Sequence, residues 1–84
     1  MNDIATTMLP IGYEALEEAI ASTSLAALAR EVGVGYQLVQ GWRVKSRKYS
    51  TPAEYVLAVE RASGISRHRL RPDVFGPQPE GEVA

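Results

Sequence analysis

The chain has 84 residues, a net charge of −1, no cysteine and one histidine. This length predicts a single small domain, and the lack of cysteine excludes disulfides and thiolate metal sites. A lone histidine cannot build a histidine-based metal centre, and no apolar run is long enough to cross a membrane. The N-terminus shows neither a basic start nor a long apolar stretch, so we expect a cytoplasmic protein without a secretory signal.

Charge is distributed unevenly along the chain. Residues 1–35 sum to −4, residues 36–71 to +6 and residues 72–84 to −3. A protein with one basic face and acidic ends can bind phosphates locally and stay soluble. Ordinary solvated helix charges are the alternative, but they are less favoured because four cations follow each other closely, at Arg43, Lys45, Arg47 and Lys48.

The first part of the chain predicts a flexible N-terminus over residues 1–10 and an amphipathic helix over about 11–21. This helix is indicated by side chains at helical spacing, those of Tyr13, Leu16 and Ile20. Ser24 or Thr23 can accept a hydrogen bond from the start of a second helix, over about 25–32. Gly33 ends that helix, because glycine adopts a positive φ without steric strain.

A third helix is predicted over about 35–44, close enough to the second to form a helix-turn-helix. Two short helices cross closely only where a small side chain lies between them, and Ala29 provides it. The side chains expected to face the core are those of Leu28, Val32, Leu38, Val39 and Trp42. The opposite face of the third helix is then left to enter a DNA major groove.

Turn and cap signals organise the next segments. Residues 45–50 form a basic loop, and a fourth helix over about 52–63 opens on a capping box made by Thr51, Pro52 and Glu54. Gly64 ends this helix. Ser66 can cap one further short turn, Arg67 to Leu70, which Pro72 stops.

Together these signals predict an all-α, five-helix domain of the lambda-repressor-like helix-turn-helix type over residues 11–76. The last apolar side chains of this range, those of Val74 and Phe75, are expected to fold back on the core. A flexible acidic tail is expected over residues 77–84.

The outward face of the third helix carries residue types that read bases. A glutamine amide presents a donor and an acceptor together, so it can pair bidentately with adenine in the major groove. Gln37 and Gln40 are one turn apart and can reach neighbouring base pairs, with Tyr36 beside them. Gly41 leaves that face without a side chain, which lets the helix lie deeper in the groove. The alternative is a merely solvated polar face.

The basic loop after the third helix is predicted to bind DNA phosphates, which supply affinity and position without sequence information. The side chains predicted to make these contacts are those of Arg43, Lys45, Ser46, Arg47 and Lys48. Nothing indicates an enzyme, a cofactor or a metal site, because His68 stands alone and the acidic residues show no metal-binding pattern.

Four stretches of the chain carry a family resemblance. They are ALAREVGV at 27–34, GYQLVQGWR at 35–43, AVERASG at 58–64 and RHRLRPDVFG at 67–76. In these stretches the chain resembles the Cro/YdaS family of helix-turn-helix proteins, which are small transcriptional regulators of phages and prophages, some described as antitoxins. The resemblance covers about residues 13–76.

This resemblance implies specific contacts with DNA. The positions at which it implies base reading are Gly35, Tyr36, Gln37 and Gln40. It also implies phosphate contacts near Ser24 and Arg43. The chain departs from the family where Leu25 replaces a usual polar residue and Gly35 replaces a usual serine.

The preferred hypothesis is a sequence-specific regulator, a Cro-like prophage repressor that binds an operator in double-stranded DNA in the bacterial cytoplasm. A helix-turn-helix this small usually needs two copies on a pseudo-palindrome, so we expect a weak homodimer and no membrane association. One alternative is an antitoxin that represses its own operon and binds a toxin. Another is a protein-interaction module whose helix-turn-helix no longer reads DNA.

Overall fold

The computed structural model describes residues 9–77, which form six helices and the loops between them. In chain order the helices are α1 (Tyr13–Ser22), α2 (Leu25–Val32), α3 (Tyr36–Trp42), α4 (Ala53–Ser63), α5 (Arg67–Leu70) and α6 (Pro72–Phe75). This range contains no strand, only an isolated bridge between Ile11 and Tyr49. The all-α prediction is therefore confirmed, whereas the flexibility predicted before residue 9 and after residue 77 lies outside the described residues.

One predicted helix start was wrong, and one helix was missed. α5 spans Arg67–Leu70, as predicted, but Pro72 then begins α6, which gives six helices rather than five. Proline suits a first helical position because its missing N–H would have no partner there. The capping box is also absent. α4 begins at Ala53 with Pro52 as its N-cap, and Thr51 is buried with its carbonyl bound to Arg71 at 3.0 Å. The Thr51 hydroxyl has no hydrogen-bond partner within residues 9–77, so it does not cap the helix.

The other predicted caps are confirmed. The Ser24 hydroxyl accepts a hydrogen bond from the Ala27 N–H at 3.0 Å, and the Ser66 hydroxyl accepts one at 3.0 Å from the start of α5. Gly33 ends α2 at a φ of 91°, and Gly64 ends α4 at a φ of 81°. These ends depend on the residue and its immediate neighbours, which is why local patterns locate them.

The core lies between α1, α2, α3 and α4, and α5 closes it. Trp42 is 1% exposed, and its ring centroid lies 5.2 Å from that of Tyr55 on α4, as predicted for a core tryptophan. The other fully buried apolar side chains of the described range are those of Leu16, Ala19, Leu28, Val39, Val56, Val59 and Leu70. The short helices are thus held by one shared cluster rather than by their own length.

Two apolar side chains expected in the core lie outside it. Leu38 is 43% exposed, because α3 turns only Val39 and Trp42 inward. Val74 is 49% exposed, although Phe75 packs against the core as expected. Successive residues of an α-helix point about 100° apart, so a seven-residue or four-residue helix buries only a narrow stripe.

Two kinds of feature are absent from the described part of the chain. None of its helices is long and apolar enough to span a bilayer. Its histidine, aspartate and glutamate side chains form no group that could hold a metal ion.

Candidate nucleic-acid interface

The outward face of α3 is a continuous exposed surface. Tyr36 is 53% exposed, and Gln37 and Gln40 are exposed beside it. An added Cβ at Gly41 would meet no atom within 4 Å, so the surface is open at this position. The predicted base-reading side chains therefore lie together on one face, opposite the two buried residues of the helix.

Gly35, the remaining predicted base-reading position, precedes this face as the N-cap of α3. Its backbone is extended, with φ −72° and ψ 151°, and it offers no side chain to cap the helix. An added Cβ would lie 3.3 Å from the Gln37 Oε1 atom. Glycine here thus leaves the Gln37 side chain room next to the start of the helix.

The predicted phosphate contact at Ser24 lies at the start of α2. The side chain is exposed, and its oxygen already accepts the hydrogen bond from the Ala27 N–H. The hydroxyl hydrogen is still available to a phosphate oxygen, since a serine can donate and accept at once. The same residue can therefore cap α2 and contact a backbone phosphate.

The basic loop between α3 and α4 is fastened to the segment that precedes α1. The Ile11 N–H donates to the Lys48 carbonyl at 3.0 Å, and the Ser50 N–H donates to the Ile11 carbonyl at 3.0 Å. The Arg47 Nε donates to the Tyr49 carbonyl at 3.0 Å. These bonds fix the end of the loop, so its charged side chains project from an ordered backbone.

Arg71 anchors the same loop from the other side, which sequence reasoning missed. Its guanidinium lies 4.1 Å from the centroid of the Tyr49 ring and donates to the Thr51 carbonyl at 3.0 Å. Asp73 accepts two further hydrogen bonds from it, at 2.9 and 2.8 Å. These bonds hold the pKa of Asp73 below its usual value and raise that of Arg71. No sequence pattern indicates this site. Tyr49 and Thr51 lie far from Arg71 in the chain, and an aspartate two residues after an arginine, as Asp73 is, is not a recognisable motif.

Ion pairing restricts the basic surface to a smaller area than the sequence suggests. The basic segment is residues 36–71, which sum to +6. Four of its arginines each lie within 3 Å of a carboxylate, in the pairs Arg43–Glu17, Arg67–Glu60, Arg69–Glu18 and Arg71–Asp73. Within residues 9–77, the cations of this segment without a carboxylate partner are Lys45, Arg47, Lys48 and Arg61. Three of these four belong to the loop that follows α3.

The loop side chains differ in how much they are already engaged. Lys45, Ser46 and Lys48 are exposed, whereas Arg47 is half-buried. The Lys45 ammonium lies 5.8 Å from the Tyr13 ring centroid, and the Arg47 guanidinium lies 5.3 Å from that of Tyr49. Such contacts with rings leave the ammonium of Lys45 and the two Nη groups of Arg47 able to reach an anion.

Arg43, at the C-terminal end of α3, is held by α1. Its Nε and Nη2 donate to the two carboxylate oxygens of Glu17 at 2.8 and 3.1 Å. This pairing raises the pKa of Arg43, and its side chain is 36% exposed. The predicted phosphate contact at Arg43 therefore rests on the remaining N–H groups of the guanidinium.

Comparison with protein families gives one match, to the family described as bacterial toxin YdaS, over residues 16–79. This span covers more than half of the chain. The chain belongs to the YdaS family. Neither the curated proteins nor the solved structures gave a significant match.

The YdaS match contains all of the candidate interface. It starts within α1 and extends past α6, so it includes α2, α3, the basic loop and the Arg71 anchor. The predicted membership of the YdaS family is therefore confirmed.

Proposed function

We propose that this YdaS-family chain is a sequence-specific DNA-binding regulator in which α2 and α3 form a helix-turn-helix. The observation that carries the proposal is the position of the unpaired cations. They concentrate in the loop next to the exposed polar face of α3, whereas most cations elsewhere in the basic segment are paired with carboxylates. A helix that reads DNA in the major groove uses polar side chains to contact the bases and neighbouring cations to contact the phosphates. The exposed face of α3 and the loop beside it offer both.

The face of α3 offers several ways to recognise a base pair. Gln37 and Gln40 supply amide donors and acceptors, and Tyr36 adds a hydroxyl. Leu38, exposed at the edge of this face, can contact a thymine methyl group. Gly41 leaves the C-terminal part of this face open for a close approach to the bases.

Phosphate binding is assigned to the residues around this face. Lys45, Arg47 and Lys48 contact the backbone electrostatically, and Ser24 and Ser46 donate neutral hydrogen bonds. The resulting protein is a Cro-like repressor that occupies an operator in double-stranded DNA. We further propose that two copies form a weak homodimer on a pseudo-palindromic site, since one α3 reads too few base pairs for useful specificity.

The proposal is tested by selecting duplexes from a randomised pool and comparing affinities for selected and random DNA. Gln37→Ala and Gln40→Ala should each lower affinity for the selected duplex by about 1–3 kcal/mol. Affinity for random DNA should change little, because phosphates dominate it. Glu54→Ala, an exposed change on α4, is the matched control and should leave the ratio unchanged. An unchanged ratio in both glutamine variants would remove Gln37 and Gln40 as the base-reading residues and leave Tyr36 or DNA shape as the source of specificity.

The family description favours a second candidate, a growth-inhibiting toxin. The target that we propose for such activity is the DNA that the proposed interface would bind. Expression of the chain in bacteria, compared with a Lys45→Ala/Lys48→Ala variant, separates the candidates. Growth inhibition that disappears in the variant would indicate toxicity through DNA binding. Inhibition that persists would indicate a protein target and favour the interaction-module alternative.

A further inference from the structure

The guanidinium of Arg43 has a third contact, with the base-reading face itself. Two of its nitrogens are engaged by Glu17, and the third, Nη1, donates to the Oε1 atom of Gln40 at 3.3 Å. Glu17 lies on α1, so the contact ties a side chain of α3 to a neighbouring helix. Gln37, one turn earlier, has no hydrogen bond to another side chain within residues 9–77.

The chemistry of this contact fixes which end of the Gln40 amide faces outward. Arginine has only donors, so it can hold the carbonyl oxygen of the amide and never its NH2 group. The reversed amide would set donor against donor. Glu17 fixes the guanidinium plane with two charge-assisted hydrogen bonds, which restricts rotation of the group that holds Gln40.

We propose that Glu17 and Arg43 are positioning residues that turn the NH2 group of Gln40 toward the major groove, so that Gln40 reads guanine. A glutamine without such a partner pairs with adenine, because adenine presents an acceptor at N7 and a donor at N6. Guanine presents two acceptors, N7 and O6, and an outward NH2 group can donate to either of them, whereas at adenine it finds one acceptor, N7, beside the competing N6 donor. This inference rests on the proposed DNA-binding function and adds to it the base that Gln40 selects.

Binding-site selection with variants tests the base preference. The base pair read by Gln40 is the one whose preference disappears in Gln40→Ala. At this pair the unaltered protein should favour guanine over adenine about tenfold, and Arg43→Met should favour adenine instead. If Arg43 also binds a phosphate, its replacement lowers affinity for all duplexes alike and leaves base preference unaffected through that route.

The chain contains a matched control for this change. Arg69 makes an equally close bidentate pair with Glu18, the neighbour of Glu17 on α1, at 2.9 and 2.6 Å, but it lies on α5. Arg69→Met should leave guanine preferred. Glu17→Gln, which keeps the guanidinium but weakens its anchor, should reduce the preference for guanine and serves if Arg43→Met does not fold. The inference would be overturned if the unaltered protein, Glu17→Gln and Arg43→Met all preferred the same base at this pair. It would also be overturned if Gln40→Ala kept the base preference at every pair.

Nuclear magnetic resonance of the DNA-free protein tests the positioning by itself. The side-chain NH2 of Gln40 should show a higher heteronuclear NOE than that of Gln37, and Arg43→Met should lower it to the Gln37 value. Equal values in the unaltered protein would overturn the positioning even if DNA binds. If no duplex binds, the proposed function and the guanine preference both fail, while this measurement still decides whether Arg43 holds the amide.

Discussion

Trp42 is the largest fully buried side chain of the described core. Trp42→Ala should lower the free energy of unfolding by about 3–5 kcal/mol, because it leaves a large cavity beside Tyr55. The indole N–H has no hydrogen-bond partner within residues 9–77. Trp42→Phe therefore loses apolar area but no such bond, and should lower the free energy by less than about 2 kcal/mol. Urea unfolding followed by circular dichroism measures both, and a loss in Trp42→Phe well above about 2 kcal/mol would show that the indole N–H is bonded.

Gly41 separates stability from DNA binding at a single position. Glycine within a helix is about 1 kcal/mol less favourable than alanine, and an added Cβ at Gly41 meets no atom within 4 Å. Gly41→Ala should therefore raise the melting temperature of the free protein. It should also weaken binding to a selected duplex, because the added methyl group lies on the face of α3 that is proposed to approach the bases. A variant that is more stable and binds equally well would show that Gly41 lies away from DNA.

At the scale of elements, Gly12 allows α1 to begin against α5. It has a φ of 76°, and an added Cβ would lie 1.9 Å from the Leu70 carbonyl oxygen. Gly12→Ala should therefore lower the free energy of unfolding by about 2–5 kcal/mol, through backbone strain and overlap together. Gly33→Ala is the control, with a φ of 91° and open space around the added Cβ. Gly33→Ala should lower the free energy of unfolding by about 1–2 kcal/mol, through backbone strain alone. Equal losses in Gly12→Ala and Gly33→Ala would mean that α5 moves away from the added methyl group without penalty.

The contact between Arg71 and Asp73 makes the loop anchor sensitive to acid. Because the pKa of Asp73 is lowered in the folded protein, the unfolded chain binds more protons near pH 4. The stabilisation is therefore complete above the ordinary aspartate pKa and disappears as the pH falls through the lowered one. Asp73→Asn should remove this part of the acid sensitivity. The contribution to the free energy of unfolding should be less than about 1 kcal/mol, because the carboxylate is partly solvated. If the free energy of unfolding has the same pH dependence in the unaltered protein and in Asp73→Asn, the Arg71–Asp73 contact does not cause the acid sensitivity.

The elements that sequence analysis located are those set by local chemistry. The caps at Ser24 and Ser66 and the glycine ends at Gly33 and Gly64 involve neighbours in the chain, and the structure has them where they were expected. Thr51 shows the opposite case. It does not cap α4, and distant Arg71 binds its carbonyl, a contact that no local pattern reports.

The candidate site divides in the same way. Exposure of Gln37 and Gln40 follows from the spacing of Val39 and Trp42, so helical periodicity was enough to predict it. The pairing of Arg43 with Glu17 depends on how α1 packs beside α3, which sequence spacing does not encode. Long-range ion pairs thus decided which of the predicted cations are available to phosphates.

At the scale of the whole molecule, the central claim is that an overall acidic chain binds DNA through one local surface. Its net charge of −1 gives no general attraction to a polyanion. Affinity must then come from the loop cations without carboxylate partners. Lys45 and Lys48 are the cleanest to remove, because both are exposed and neither side chain makes a hydrogen bond within residues 9–77.

A salt titration of duplex binding tests this claim most directly. The affinity of the unaltered protein should fall steeply with salt, and Lys45→Ala/Lys48→Ala should lower the slope of log affinity against log salt by about two. Arg61→Ala, an exposed cation change on α4, is the control and should leave the slope unchanged. Absence of duplex binding at low salt, or the same slope in the unaltered protein and the double variant, would contradict the claim.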